Sequence, residues 1–283
     1  MPGIEIEDGG FRVKVILDSL APCGKRLITI TARYPRFIHS EVMTHRDRAR
    51  NAASSRAIPW PKMMAAITND PVIPIRFGSE RKGMQTGEEV DDVEAARNAW
   101  LCARREAVYW AEQLASLGVH KSICNRLTEP FMWIEVVMTA TEWENFFRLR
   151  CHPDAEIHFQ KIAGMIRDAL RVSEPKQRRV GELHLPFVDG YDLDELKANS
   201  IHPTHAKQIS AARCARVSYL THEGEYDPAK DIALFHKLAN GSGFGHWSPM
   251  EHVAEALATP ERSGPFIGWK QFRKEFPLEN AEG

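Results

Sequence analysis

The residues best suited to chemistry lie close together, in Thr44-His45-Arg46-Asp47-Arg48-Ala49-Arg50-Asn51-Ala52-Ala53-Ser54-Ser55-Arg56. One histidine, four arginines, an asparagine and two serines occupy thirteen positions. Pro35 suits the first turn of a helix running forward from it, where its missing N–H costs nothing. On that helix Arg46 and Arg50 share a face, and His45 and Arg48 form a neighbouring stripe. The small polar run from Asn51 to Ser55 ends such a helix and lets the backbone approach a ligand closely. A second helix opening near Pro59 or Pro61 adds free N–H groups to an anion site. Guanidinium groups and short hydroxyls around that turn suit a phosphate and a planar, carbonyl-rich ring. The same residues also describe a solvated basic helix end, and charge pattern leaves both readings open.

Other residues bear on the choice. Asn145, Arg148 and Arg150 stand beside Phe146 and Phe147, an unusual mixture for a face open to water. Arg126 taken alone is a surface cation. Cys214, between Arg213 and Arg216, reads as a nucleophile of lowered pKa or, more simply, as a small buried thiol on an Ala-rich helix. His246 with His252, or His202 with His205, could ligate a metal, but neither pair has an evident third ligand, so no metal is expected. No Gly-x-Gly-x-x-Gly fingerprint and no phosphate loop ending in Gly-Lys-Ser/Thr is present. A nucleotide or flavin would therefore bind without a Rossmann turn.

These residues need supports. Phe11 to Leu17 and Arg26 to Ala32 alternate and read as two strands of a hairpin broken at Pro22-Cys23-Gly24. Residues 71 to 90 read as a long loop. Glu88 to Leu117 is a long, core-forming helix that Gly118 can end. Lys121 to Leu127 continues as a short helix, and Met132 to Met138 is a strand. Thr141-Glu142-Trp143-Glu144 has capping-box form and opens a helix through Arg150. Asp154 to Val172 is helical, and Glu174 to Pro186 is a loop. Thr204 to Tyr219 and Asp227 to about Gly241 are helices. Ser248, Pro249 and Glu251 form a second capping box. The tail from Gly268 to Gly283 is polar.

Composition narrows the class. The 283 residues, 43% hydrophobic and 27% charged, suit a soluble globular protein, read as a single domain over 1–283. A net charge of -1 gives no bulk attraction to nucleic acid or membrane, and neither is expected as a partner. No apolar run approaches a membrane span, and Met1 to Glu5 lacks signal-peptide character. Five cysteines without metal-ligand spacing suggest free thiols in a reducing compartment, hence the cytoplasm.

Taken together, separated pieces of the chain resemble the flavin-dependent thymidylate synthases. His45, Arg46, Asn51, Ser54 and Arg56 stand at offsets matching that family's Arg-His-Arg signature. Asn145-Phe146-Phe147-Arg148-Leu149-Arg150 is similar to its Asn-Phe-Leu-Asn-Leu-Arg, and Arg126 to Pro130 to its Arg-x-x-x-Pro. His246-Trp247-Ser248-Pro249-Met250-Glu251-His252 resembles its His-x-Ser-Pro-Phe-Glu-His, and Ala215-Arg216-Val217 its preceding Ala-Arg-Val piece. These pieces cover roughly half the chain. In the family the His-x-Ser-Pro piece comes before Arg-His-Arg; here it comes after. The order implies a circularly permuted chain similar to some phage-encoded relatives, working in the host cytoplasm. Thr44, Ala49, Ala52 and Ala57 replace the family's Arg, Ser, Glu and Tyr; Glu41 stands where it has a nucleotide-contacting Gln. Thr139 and Thr141 stand where an Asn and an Arg touch the flavin.

The resemblance implies an α+β fold, a mixed sheet with long helices, assembled as a homotetramer. It implies FAD, methylenetetrahydrofolate and, as a candidate reductant, NADPH, with a pyrimidine deoxynucleotide monophosphate as substrate. Arg150 and Arg56 would be catalytic. Glu41, Ala53, Ser54, Ser55, Arg56, Arg126 and Arg150 would bind the nucleotide, and Thr44, His45, Arg46, Asn51, Asn145, Leu149, Ser248, Glu251 and His252 the cofactor. The activity implied is one-carbon transfer to C5 of the pyrimidine, dUMP to dTMP. The altered positions leave a C5-hydroxymethyl product on dUMP or dCMP as a rival, and a non-catalytic nucleotide-binding protein as a third reading.

Overall fold

Two alternating runs build the centre of the molecule. In a computed structural model, which describes residues 4–190, 194, 203–219, 227–240 and 246–276, Phe11–Leu20 (β2) and Arg26–Pro35 (β3) pair as an antiparallel hairpin. The turn between them needs a left-handed residue, which Gly24 supplies at φ 79°. Glu5–Asp8 (β1) lies outside β2, and Trp133–Ala140 (β5) outside β3. Ala49–Ala52 (β4) closes the far edge, giving the order β1-β2-β3-β5-β4, all antiparallel; Lys176–Gln177 (β6) joins β2 in parallel.

Side chains alternate between the two faces of this sheet. One face carries Phe11, Val13, Val15, Ile28, Ile30, Ile134, Val136 and Met138. It is covered by Ile157–Val172 (α6) through Phe159, Ile162 and Ile166, and by Phe146 of Glu144–Arg150 (α5). The opposite face presents Leu27 and Ala49 to Ala254, Ala256, Phe266 and Trp269. Those come from a second sheet, in which Ala254–Ala256 (β8) lies between Leu183–His184 (β7) and Trp269–Gln271 (β11), and from the small hairpin Arg262–Ser263 (β9) and Phe266–Ile267 (β10). A third apolar cluster joins Pro203–Arg216 (α7), Pro228–Asn240 (α8) and the 3₁₀ turn Ser248–His252. The outcome is a mixed α+β architecture of antiparallel sheets and helices.

Several local expectations are corrected. The helix predicted through His45 and Arg50 stops early: after the 3₁₀ turn Arg36–Ile38, only His39–Val42 (α1) is helical. Thr44 Oγ1 and N both bond the Glu41 carbonyl, closing the helix end. The chain from Ala49 is then taken into the sheet by β5, so strand pairing overrides the helical spacing. Trp60–Asn69 (α2) opens behind Pro59 as predicted. The long helix is Val93–Ser116 (α3), ended by Gly118 at φ 79°, but it is not core-forming. Of its residues only Ala111 is fully buried; Trp100, Ala107 and Val108 pack on the core from one edge, and Tyr109 and Trp110 are half exposed or more. Lys121–Cys124 (α4) leads into a 3₁₀ stretch, Asn125–Phe131.

Neither capping box forms. Thr141 Oγ1 accepts from the Ile267 amide instead, and Glu251 pairs with Arg273. The loop predicted over 174–186 contains β6 and β7. The tail, expected to be polar throughout, buries Trp269 completely and Phe272 almost so. All five cysteines are free. No helix among the described residues is long and apolar enough to cross a membrane.

Candidate active site

The two arginine-bearing stretches meet. Arg150, at the end of α5, donates from Nε to His45 Nε2 at 2.9 Å, and its Nη2 lies 3.4 Å from Thr44 Oγ1. Its guanidinium sits 4.5 Å above the Phe159 ring. His45 is almost fully buried, its ring edge-on to Phe146 and Phe159. Burial first, then the charges of Arg48 and Arg150, lower its pKa to about 4. His45 is therefore neutral near pH 7, and because Nε2 accepts from Arg150 its proton is on Nδ1. Among the described residues no carboxylate forms an ion pair with Arg150, whose partners are a neutral imidazole, a hydroxyl and a ring.

Around this pair the backbone is pinned by Arg50, whose Nη1 donates to the Met43 and His45 carbonyls at 2.9 and 2.6 Å. Arg48 is seated over the rings of Trp143 and Phe146, at 4.7 and 4.4 Å. It bonds Asp47 through Nε, and its buried Nη1 has no hydrogen-bond partner among the described residues. Glu41 stands near enough to Arg150 for the cation to pull its pKa down. Burial and Glu156 act more strongly in the other direction, and the net shift is upward.

The second group is the turn after β4. Ser54 donates its amide to the Ser218 carbonyl at 3.0 Å, and its hydroxyl accepts from the Arg56 amide at 3.3 Å. Ser55 Oγ donates to Glu129 Oε1 at 2.9 Å, and Arg36 pairs with the same oxygen. The buried Asn125 donates to the carbonyls of Ser55 and Ile58, at 2.6 and 3.0 Å. It thereby ties the turn bearing Arg126 to the turn bearing Arg56, and both arginines are solvent-exposed. Ala53 is buried and hydrogen-bonded to Glu135.

The remaining predicted residues fall elsewhere. Asn51 is buried on β4; Arg46, Asn145, Leu149 and Ser248 are exposed, and Asn145 accepts from Arg148. His252 is fully buried and its Nδ1 lies 2.8 Å from Thr139 Oγ1. Thr139 alternates with Met138 and Ala140, which face α6, so His252 approaches the sheet from the face opposite His45. His202 lies outside the described residues, and no cluster of three metal-ligating side chains occurs among those described. Cys214 is fully buried and burial raises its thiol pKa, as a packed thiol requires. An apolar cavity of about 120 Å³ between α2, β3 and β5 is lined by Arg36, Ile58, Met63, Phe131 and Trp133; of the predicted site residues only Ala53 reaches it.

Sequence reasoning missed Arg36, Glu129, Ser19, Thr29 and His184, all of which touch or support these groups. Glu129 lies inside the Arg126 to Pro130 piece, so a signal for it existed. Thr29 and Ser19 look like ordinary strand residues and carry none.

No family model matches the chain, and no curated protein does. Among solved structures the chain is similar to one described as a UMP/dUMP methylase PolB from Streptomyces cacaoi bound with 5-Br dUMP. The likeness has 18% sequence identity and a TM-score of 0.41, over 51% of this chain and 65% of that chain.

Proposed function

We propose that the chain is an enzyme transferring a one-carbon unit to C5 of a pyrimidine deoxynucleotide monophosphate, with dUMP to dTMP as the reaction. The observation that carries this reading is the contact between Arg150 and His45, 105 residues apart in the chain. Two pieces of the resemblance that are separate in sequence converge there on a single cation. C5 of uracil is a weak nucleophile, and attack from it spreads negative charge onto the ring oxygens. Arg150 would stabilise that charge, since a preorganised donor acts where charge develops. Its hydrogen-bond partners are neutral and, among the described residues, no carboxylate forms an ion pair with it, although Glu41 lies within range of its field; His45 and Phe159 hold it in place. Arg56, Arg126 and the hydroxyls of Ser54 and Ser55 would receive the 5′-phosphate. Glu129 beside Ser55 is offset by Arg36, which keeps the cradle cationic.

The residues that would hold FAD form two sets. Thr44, His45, Arg46, Asn145 and Leu149 form one, and Ser248, Glu251 and His252 another, with Asn51 on the same sheet face as Thr139 because it pairs with Val137. The two histidines approach the central sheet from opposite faces, and the sets come nearest at the β4 edge, where Arg50 feels the charge of Glu251. The buried, unpartnered Nε2 of His252 is a donor of the kind a ring carbonyl requires. A homotetramer of a circularly permuted chain would bring the sets of different copies together. FAD, once bound and reduced by a reductant such as NADPH, would supply hydride, and methylenetetrahydrofolate the one-carbon unit. His45 and His252, both neutral, would orient the ring by hydrogen bonds.

The test is to titrate purified protein with FAD, then add methylenetetrahydrofolate, a reductant such as NADPH, and dUMP or dCMP, and weigh the product. Stoichiometric FAD uptake and dTMP are expected. A 5-hydroxymethyl nucleotide would replace the thymidylate reading by its hydroxymethylase rival, and no FAD uptake with no product would overturn both.

A further inference from the structure

Across the second face of the central sheet runs an unbroken line of buried polar atoms. Arg178 Nε lies 3.3 Å from Ser19 Oγ on β2. Ser19 Oγ lies 2.9 Å from His184 Nδ1 on β7, and His184 Nε2 2.8 Å from Thr29 Oγ1 on β3. Thr29 Oγ1 lies 2.7 Å from Thr139 Oγ1, its directly opposed partner on β5, and Thr139 Oγ1 2.8 Å from His252 Nδ1. Ser19, His184, Thr29, Thr139 and His252 are all completely buried. His252 Nε2, at the end of the line, has no hydrogen-bond partner among the described residues.

Counting protons fixes the direction of every bond. A hydroxyl has one proton to give, a neutral imidazole has one N–H and one lone-pair nitrogen, and a guanidinium can only donate. Burial keeps both imidazoles neutral, lowering His252 to about 3 and His184 well below its usual value. Arg178 donates to Ser19, so the Ser19 proton is directed to His184 Nδ1. The His184 proton is then on Nε2 and goes to Thr29, Thr29 donates to Thr139, and Thr139 donates to His252 Nδ1. The His252 proton is left on Nε2. Reversing the line would give Ser19 two donors and leave two buried groups unmet, the Ser19 proton and the His252 Nε2 lone pair, against the single His252 Nε2–H in the direction given, and each unmet polar group is costly.

We propose that this line is a one-way relay that fixes His252 as the Nε2–H tautomer, a donor held for a neutral acceptor on a ligand, with Thr139, Thr29, His184 and Ser19 as positioning residues. A buried N–H is rarely left unmet in a native structure. A phosphate would draw a cation, whereas an uncharged donor matches a carbonyl oxygen or ring nitrogen of a heteroaromatic group. The identity of that group rests on the function proposed above; the tautomer does not.

The test reads the tautomer directly in ligand-free protein, by long-range ¹⁵N–¹H correlation of labelled histidine at pH 7, with His252 assigned by its loss in His252→Gln. Wild type should show pyrrole-type Nε2 and pyridine-type Nδ1 at His252. Thr139→Val should move His252 toward the other tautomer, and Thr139→Ser, which keeps the hydroxyl, should restore it. Ser19→Ala, remote from His252, should also shift its nitrogens; a side chain that only filled space would not act at that range. An Nδ1–H tautomer in wild type would overturn the proposal. So would a His252 spectrum unchanged in both Ser19→Ala and Thr139→Val, or in Ser19→Ala alone if Thr139→Val does not fold.

Discussion

Arg150 and the pair Arg213 and Arg216 stand out in the sequence for the same reason, an arginine among apolar neighbours, yet the fold holds them in opposite ways. Arg213 and Arg216 turn from α7 toward one carboxylate, Asp231 of α8, with Nε contacts of 2.8 and 2.9 Å. Asp231 is completely buried and Arg213 nearly so. Arg213 also reaches the Phe187 carbonyl at 2.7 Å, at the backbone position where Phe187 adopts φ 61°. Their charge is met inside the chain, and the pair clamps α7, α8 and the 186–188 segment together. Arg150 meets an imidazole, a hydroxyl and an aromatic face. Burial alone does not distinguish a structural cation from one available to a ligand; the charge of its partners does.

The contrast can be broken by removing each arrangement in turn. Asp231→Asn leaves two guanidinium groups facing a neutral amide in the interior. Breaking a buried pair from one side costs about 3–5 kcal/mol, and urea denaturation should show a loss of that size. Arg150→Met should cost less, about 1–3 kcal/mol, since it removes one hydrogen bond from the cation to a neutral imidazole and leaves the buried His45 Nε2 unmet. Under the proposed function it should lower turnover by about 10²–10³-fold. Equal losses of stability in the two variants would remove the distinction.

The same contrast shows what could be read from the sequence. The hairpin was legible because Phe11 to Leu17 and Arg26 to Ala32 alternate with period two and a glycine turn separates them. The spans of α6, α7 and α8 followed from helical period, and the start of α2 from its prolines. The segment from His45 to Arg50 was misread because its helical spacing is real, but the open edge of β5 offers backbone partners that spacing cannot register. The α3 helix was misread because its apolar residues suggest a core helix, whereas only the edge bearing Trp100, Ala107 and Val108 packs on the core and Tyr109 stands half exposed. The site was legible as a set of residue types. Its division between two faces of one sheet was not, because it depends on whether Thr139 or Met138 points toward α6. The relay residues Ser19 and Thr29 carry no chemical signature until His184 is folded over them.

Acidity sharpens the comparison from the other side. The pKa of His45 is about 4 in the folded chain against about 6.5 for an unperturbed histidine, because burial, Arg48 and Arg150 all disfavour its charged form. The unfolded chain thus takes up a proton more readily. The stability this difference carries is fully present above about pH 6.5 and is lost as pH falls from there toward 4. Unfolding midpoints measured between pH 7 and 4 should fall steadily, and His45→Gln, which cannot be protonated, should flatten part of that fall. His39, His184 and His252 are displaced in the same direction, so a residual slope will remain. An identical slope in wild type and His45→Gln would show that His45 is not held neutral by this site.

Glu41 offers the smallest and most selective effect. It ends its helix beside Arg150 without forming an ion pair with Arg46, Arg48 or Arg150 among the described residues, so its carboxylate is not committed to those arginines. Burial and the neighbouring Glu156 raise its pKa, while Arg150 partly opposes them. An ionised carboxylate only accepts hydrogen bonds, whereas the glutamine expected by resemblance both donates and accepts. Cytosine presents an amino donor where uracil presents a carbonyl acceptor, so Glu41 near that edge favours cytosine and glutamine tolerates uracil. A mismatched buried polar contact of this kind costs about 1–3 kcal/mol, or roughly tenfold or more in relative preference. Under the proposed function, Glu41→Gln should therefore move the ratio of kcat/KM for dCMP over dUMP toward dUMP by about that factor, while leaving the unfolding midpoint nearly unchanged. An unaltered ratio would place Glu41 away from the base edge, near the phosphate end or in the solvent-facing field of Arg150, and the choice of base would then rest on other residues.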